Sequence, residues 1–447
     1  MRVLPSARSF ENALRRLQWP ISTRGERMAV AREGIFIAVS RRFTMKRRTF
    51  LGLTALAFPA ILSAQSPARK VRIAVIGMGG RGTSHAVTLA KLPGVEVSHV
   101  CDPDGKRATA AAVAKAGGGS PATVRDFRKI LGDSSVDAVS IAAPNHWHAP
   151  AAILAMSAGK HVYLEKPCSH NPHEGELLVA AARKHKRIVQ HGTQRRSWSG
   201  IREAMERLRS GELGHVRSSR AYYFNSRPTI GKGTPGPLPE GLDWALWQGP
   251  APEREFRTNF VHYHWHWFWH WGNGELGNNG VHMLDLCRWG AGVELPERTV
   301  SAGVKTAFPD DDQETPDTNT VTFDFTTPRG PTTISWECRS WMNKTPLDPQ
   351  HDVAFFCEKG TLLINGNAYT IHDPKGAKLS EGKGSGGDEA HFQNFIDAIR
   401  GDAKLNAEIE EGHKSTLLCH LGNSAWRTGD AKKLWKREYR PGWEPVV

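Results

Sequence analysis

Apolar runs broken by turn residues divide the chain into two regimes. From Arg69 to about Thr193, the runs Ile73 to Ile76, Val95 to Cys101, Val136 to Ala142, His161 to Leu164 and Ile188 to His191 predict strands. Between them Thr83 to Leu92, Ala149 to Ala158 and Pro172 to His185 have helical spacing. Such alternation predicts an α/β domain built on a doubly wound parallel sheet. One more helix is predicted at Gly200 to Ser210, and then the pattern changes. Longer strand-like runs at Val216 to Phe224, Val300 to Val304, Thr320 to Phe325, Thr332 to Glu337, Val353 to Cys357 and Thr361 to Ile364 predict a second, α+β domain on a mostly antiparallel sheet. Loops rich in Gly and Pro (Thr229 to Gly241) or in Gly and Lys (Pro374 to Gly387) interrupt it. The last predicted helix, Glu389 to Ile399, carries Phe392, Phe395 and Ile396 at core-facing spacing. The domains are thus expected at residues 69–193 and 194–435.

The first 64 residues fit neither regime. Arg47 and Arg48 precede a short apolar stretch, Leu51 to Leu62, which ends at Ser63 and Ala64. Twin arginines, a short apolar core and a small-residue end describe a twin-arginine export signal over residues 45–64, and predict a periplasmic or secreted protein. The stretch is too short to span a bilayer comfortably, so no stable membrane anchor is expected. Residues 1–44 are arginine-rich and patternless, and are expected to be a non-native extension ahead of a true start at Met45. Residues 1–64 carry 12 Lys+Arg against 3 Asp+Glu, which accounts for nine of the formal +14. The remainder is only mildly basic, and nucleic-acid binding has little support. Six scattered cysteines show no CxxC spacing and dictate no pairing.

Candidate chemistry begins where the first strand ends. In VRIAVIGMGGRG, Val71 to Gly82, an apolar run breaks into Gly77-x-Gly79-x-x-Gly82 and a helix-like segment follows. This is the context a dinucleotide fingerprint requires: Gly77 for a tight turn, Gly79 for approach to a pyrophosphate, Gly82 for close helix packing, with Gly80 and Arg81 in the same turn. Asp102 ends the second strand 25 positions after Gly77, where a carboxylate would bond a ribose 2'-hydroxyl. It would repel a 2'-phosphate, so NAD is the expected cofactor, although Lys106 and Arg107 leave NADP open.

With that fingerprint stand Pro144-Asn145-His146-Trp147-His148, Glu165-Lys166-Pro167 and Gly280-Val281-His282-Met283-Leu284-Asp285. In this combination the chain resembles the Gfo/Idh/MocA oxidoreductases from about Arg69 to Thr428. The resemblance implies a nicotinamide domain followed by an open-faced sheet domain, through which a homo-oligomer is expected. It also implies hydride transfer to or from a small carbohydrate or polyol in the cleft. Pro144, Asn145, His148, Glu165 and Lys166 are then expected beside the cofactor. The segment around His282 matches the one that carries the family's catalytic histidine. Many members have an Asp four residues before that histidine, whereas this chain has Asn278, which takes up no proton at physiological pH.

The residue chemistry agrees. A lysine at the carboxyl end of a parallel strand points into the ligand crevice, where Lys166 can stabilise an alkoxide. His282 can accept a hydroxyl proton. Asn278 is expected to hydrogen-bond substrate. In the run His262 to Trp271, an extended chain would set Trp265, Trp267, Trp269 and Trp271 on one face. Packed aromatic core and a sugar-stacking platform both account for it, and Trp267 and Trp269 are the platform candidates. No metal is expected there, because no matching Cys or carboxylate spacing accompanies the histidines. Gln194 and Arg195 could reach substrate oxygens, as could Arg196. Three functions follow in order: a sugar, polyol or glycoside oxidoreductase with tightly bound cofactor; an NAD-dependent glycoside-cleaving enzyme working by oxidation, elimination, hydration and re-reduction; and a non-catalytic nucleotide- or sugar-binding protein.

Overall fold

The computed structural model describes residues 69–429 and 438–441. The predicted extension and export signal lie outside them. The first domain runs β1 (Val71–Ile76), α1 (Gly80–Lys91), β2 (Val95–Cys101), α2 (Ala111–Lys115), β3 (Ala122–Val124), α3 (Arg128–Leu131), β4 (Ala138–Ile141), α4 (Asn145–Ser157), β5 (His161–Leu164), α5 (Pro172–His185) and β6 (Val189–His191). The strands form one parallel sheet in the order β3-β2-β1-β4-β5-β6. Central strands buried on both faces need near-continuous apolar residues, which is why β1 and β4 read so plainly. α5 shows how local chemistry sets an element's bounds. Asn171 caps it by accepting from the Glu174 N–H at 3.0 Å, Pro172 opens it, and Lys186 ends it in the left-handed conformation. α4 begins at Asn145, ahead of the predicted Ala149, and continues through Pro150.

The second domain follows with α6 (Ser199–Arg209), β7 (Val216–Ser226), α7 (Trp244–Gln248), α8 (Val281–Ala291), β8 (Arg298–Val304), β9 (Thr318–Thr327), β10 (Gly330–Arg339), β11 (Trp341–Met342), β12 (Val353–Cys357), β13 (Gly360–Asn365), β14 (Ala368–His372), β15 (Lys378–Lys383), α9 (Glu389–Arg400) and α10 (Ile409–Thr428). Its sheet has the order β15-β14-β13-β12-β7-β10-β9-β8, with β11 on β7, and only β7 and β10 run parallel. One face packs under α6, α8 and α10, burying Leu284, Phe323, Trp336 and Phe355.

Besides short elements such as β3 and β14 that the pattern did not single out, two elements and the domain division depart from it. Residues 374–387, predicted as loop, contain β15, an exposed edge strand whose lysines fit the way natural edges avoid further pairing. A twenty-residue helix, α10, follows the helix predicted to be last. The division at residue 193 does not confine packing either. Phe392, Phe395 and Ile396 of α9 join the cluster of Ile73, Val75 and Leu89, so the chain returns to complete the first domain.

Candidate active site

The order of the parallel sheet reverses between β1 and β4, which is where doubly wound folds open a crevice. Gly77 fills that point with φ +87°, and a Cβ there would lie 2.7 Å from the Ala142 carbonyl carbon and oxygen. A Cβ on Gly82 would lie 1.6 Å from the Gly77 oxygen. Both positions therefore demand glycine. α1 opens at Gly80 with no side-chain cap, which leaves its first N–H groups to face an anion. Asp102 braces the turn: one carboxylate oxygen accepts from the Met78 N–H and the other from the Asp104 N–H, at 2.8 and 2.9 Å. Burial raises its pKa against those two bonds.

A cavity of about 470 Å³ runs from this turn past Asp102, Arg107 and Arg128 at one end to Lys166 and Asn278 at the other. That lies within the usual range for ligand pockets, about 300–1,000 Å³. Gly77, Gly79, Gly80, Arg81, Pro144, Asn145, His148 and Glu165 also line it. Glu165 itself is 4% exposed and already bonded. It accepts from Arg81 Nε at 2.6 Å, and its Oε1 lies 3.0 Å from His85 Nε2. Burial works against its charge, yet Arg81, His85 and Lys166 hold it well below the usual carboxylate range. Arg81 extends the cluster to both oxygens of Asp388, at 2.6 and 3.1 Å. Glu165 thus anchors the glycine turn rather than presenting a free carboxylate.

Lys166 follows at the crevice, with a cis bond to Pro167. Its Nζ donates to the Asn278 carbonyl oxygen at 2.9 Å and to Asn278 Oδ1 at 3.1 Å. Burial lowers its pKa, with Glu165 opposing. Asn278 reaches it from a single π-helical turn, Leu276–Gly280, that leads into α8. Glu275 supports that turn from below, accepting from Asn279 Nδ2 at 2.6 Å and pairing with Arg227. His282 stands one turn beyond Asn278, outside the cavity lining, and its Nδ1 has no hydrogen-bond partner among the described residues. Burial first, then the Lys166 charge, push its pKa well below 6.5, so the ring is neutral.

The segment 227–271 forms the far wall. It is not a strand: a 3-10 turn at His264–Trp267 puts Trp265, Phe268 and Trp271 at i, i+3 spacing into a small aromatic core with Phe260 and Trp247. Trp267 is buried under the Arg227 guanidinium at 4.9 Å, and Trp269 packs against Trp426 and Arg427. Neither lines the cavity; Trp247, Tyr263, Trp265 and His266 do, and the compact turn is the reason. Gln194 and Arg195 are also outside the lining. A 3-10 turn after β6 aims Arg195 at Asp352, 3.2 Å away, and at the Gly366 carbonyl, while Arg196 chelates Asp285. His148 is in the lining, with its two ring nitrogens 2.6 and 2.7 Å from the Pro167 and Ala143 carbonyls.

The same segment closes over the cofactor end. His262 Nε2 lies 3.3 Å from Asp104, Lys106 Nζ 2.7 Å from Glu240, and the Asp243 N–H donates to the Pro103 carbonyl at 3.0 Å. Nothing in the sequence announced these contacts, because each partner is an ordinary polar residue more than a hundred positions away. Among the described residues, no group of three His, Cys, Asp or Glu is placed to hold a metal ion, and no helix is long and apolar enough to cross a membrane.

Residues 71–193 match the family profile described as an oxidoreductase family, NAD-binding Rossmann fold, and residues 223–313 match its C-terminal alpha/beta domain. Inositol 2-dehydrogenase of Salmonella paratyphi B is 31% identical over 174 residues, 38% of this chain and 51% of that protein. A glycosyl hydrolase family 109 protein of Saccharopolyspora erythraea is 36% identical over 164 residues, 35% of each chain. These matches span about a third to a half of the relatives' length. The WlbA dehydrogenase from Bordetella pertussis, solved with NADH and UDP-GlcNAcA, superposes with a TM-score of 0.61 at 20% identity, over 81% of this chain and 98% of that one. Glycine turn, Glu165-Lys166-Pro167 and the two matched domains stand together in one chain, which belongs to the Gfo/Idh/MocA oxidoreductase family.

Proposed function

We propose that the protein is an NAD-dependent oxidoreductase of sugars, polyols or glycosides. The observation that carries this reading is one continuous cavity with a dinucleotide turn at one end and a lysine–asparagine pair at the other. The residues fit the cofactor: the glycines leave room for backbone donors to meet a pyrophosphate, and Asp102 suits an unphosphorylated ribose better than a 2'-phosphate. Bound there, NAD supplies an acceptor for hydride. Lys166 has three N–H donors and gives two to Asn278, so one remains for a substrate oxygen. That ammonium stabilises the alkoxide as the adjacent C–H bond breaks, and we assign the hydroxyl proton to His282, the neutral ring one turn beyond Asn278. Asn278 stands where many relatives carry Asp; it orients Lys166 and accepts no proton.

The tethers from segment 227–271 across the cofactor end favour a resident cofactor, which suits the export expected from Arg47 and Arg48. A resident cofactor makes each cycle redox-neutral. The hydride then leaves to a second carbonyl substrate or returns to the same sugar after elimination and hydration. The likeness to a glycosyl hydrolase family 109 protein favours keeping the second route. The exposed Val300, Val304 and Phe356 on the sheet support a homo-oligomer through that face.

The deciding experiment offers the NAD-loaded protein glucose, galactose, their methyl glycosides and myo-inositol in deuterium oxide, without added cofactor. Reduction of bound NAD by at least one is expected. A cleaved glycoside with deuterium at the carbon beside the oxidised one marks the hydrolytic route; an intact, oxidised sugar with an equal amount of reduced co-product marks the other. Turnover only with stoichiometric added NAD would overturn the resident-cofactor reading.

A further inference from the structure

The site contains an imidazole that the mechanism above does not use. His266 lines the same cavity as Lys166, Asn278 and His148. Its ring lies flat on Trp265, with centroids 3.6 Å apart and planes 20° apart, which fixes its tilt. Its Nδ1 is 2.6 Å from the Tyr263 carbonyl oxygen. A carbonyl can only accept, so Nδ1 carries the hydrogen and Nε2 is left with a lone pair. Nε2 has no hydrogen-bond partner among the described residues. Burial first, then the charges of Lys166 and Arg227 and the nearby His148 ring, keep it neutral against the Tyr263 bond, with a pKa of about 3. Such a ring is a durable hydrogen-bond acceptor across the neutral pH range.

This matters because the charged and imidazole groups nearest that ring are donors or already engaged. Lys166 donates, Arg227 is spent on Glu275 and two tyrosine hydroxyls, and His148 faces two carbonyls. A sugar hydroxyl is both donor and acceptor, and a second hydroxyl entering this cavity needs an acceptor for its hydrogen. We propose that His266 is a specificity-determining residue whose Nε2 accepts a hydrogen bond from a second substrate hydroxyl, distinct from the one Lys166 serves. The inference rests on the sugar-oxidoreductase reading. It narrows the substrate class to compounds with at least two free hydroxyls, and it excludes substrates in which the second is replaced by hydrogen, fluorine or an ether. The carboxamide N–H of a nicotinamide has the same donor chemistry, so the test separates the two sources.

Two variants are compared with the parent, all loaded with NAD. His266→Phe keeps a flat ring on Trp265 and removes the acceptor; His266→Gln restores an acceptor oxygen. Methyl β-D-glucopyranoside, methyl β-D-galactopyranoside and myo-inositol are assayed beside their monodeoxy and monodeoxyfluoro congeners, and bound NAD is quantified throughout. In the parent, one position is expected where deoxy and deoxyfluoro congeners both lose at least tenfold in kcat/KM. His266→Phe should lower kcat/KM for the full sugar by a similar factor, abolish the discrimination at that position and leave NAD content unchanged. His266→Gln should recover part of both. Tolerance of fluorine at that position would make His266 a donor and overturn the proposal, as would loss of NAD in place of sugar discrimination. If none of these sugars reduces bound NAD, the sugar-oxidoreductase reading itself fails. Nitrogen NMR of histidine-labelled protein still decides His266 in that case: an Nε2 that stays unprotonated from pH 8 to 5 sustains the acceptor, and an Nε2–H tautomer or titration near pH 6.5 overturns it.

Discussion

The two sheets carry their chemistry in opposite ways. In the parallel sheet every candidate group sits at a strand's carboxyl end: Gly77 after β1, Asp102 after β2, Glu165 and Lys166 after β5. In the second sheet the strands contribute none of the cavity lining, which comes instead from the π turn at Leu276–Gly280, α7 and the segment 227–271. A strand end is positioned by a ladder of hydrogen bonds on both sides, whereas a turn is positioned by whatever packs beneath it. The first domain therefore places its groups at strand ends and braces them with the Glu165–Arg81–Asp388 cluster, whereas the second relies on buried ion pairs such as Arg227–Glu275 and on stacked rings alone.

The largest effect is expected where the two halves meet. His191, His391 and His420 lie in or beside that seam, all buried, with pKa values pushed by burial down to about 3, about 4 and about 3. Unfolded, each binds a proton near pH 6.5, so these three rings alone account for about three protons that the fold refuses, and His266 and His282 act in the same direction. Their contribution is full above pH 6.5, and from these three alone stability falls by about 4 kcal/mol per pH unit between roughly pH 6 and pH 4. Urea denaturation at pH 7, 6 and 5 measures this; a flat profile would mean that the seam is not closed around neutral rings. Glu165 adds loss in the same direction only below its usual range, because its folded pKa is depressed.

Glu165→Gln tests the first domain alone. It removes the buried negative charge that pairs with Arg81 and contacts His85, leaving one amide oxygen as acceptor, and should destabilise by about 3 kcal/mol, since breaking a buried pair strands the remaining charge. Retained NAD with full stability would count against the anchoring role of Glu165. Lys166→Met should slow hydride transfer by about a hundredfold or more while bound NAD is kept, and His282→Asn should do the same. Single-turnover absorbance of the bound cofactor separates these from binding defects. Near-normal turnover in His282→Asn would make that histidine structural. The smallest effect belongs to Trp269→Ala, which should change kcat/KM by less than about twofold, because surface-side packing away from a site rarely reaches it. A tenfold loss would put that ring back in the substrate site.

The same contrast explains what could be read from sequence. β1, β2, β5 and α5 were legible because parallel strands are apolar throughout and α5 carries its own cap, opening proline and stop. The glycine turn and Lys166 were legible because their chemistry is local in sequence. α10 was not: its buried positions include Gly412, Ser415, Thr416, His420, Gly422 and Ser424, which blur the apolar period. β15 hid in a Gly- and Lys-rich stretch because an exposed edge strand needs no apolar alternation. Trp267 and Trp269 stood out by composition, yet a 3-10 turn placed Trp265 and His266 at the cavity instead. Arg195 looked available until Asp352, 157 positions away, was seen to hold it.

The return of α9 to the first domain bears on how the protein is made. A ribosome that has released residues 69–193 has completed all six parallel strands, yet Ile73 and Leu89 still face water where Phe392, Phe395 and Ile396 will pack. Arg81 at that moment has Glu165 but not Asp388. The nucleotide domain is therefore not a translational unit, and its cofactor turn stays only half braced until nearly the whole chain has emerged. Cofactor loading becomes a late event in synthesis, which leaves a short interval between the finished fold and any export step, and makes truncation after residue 193 a poor route to an isolated NAD-binding domain.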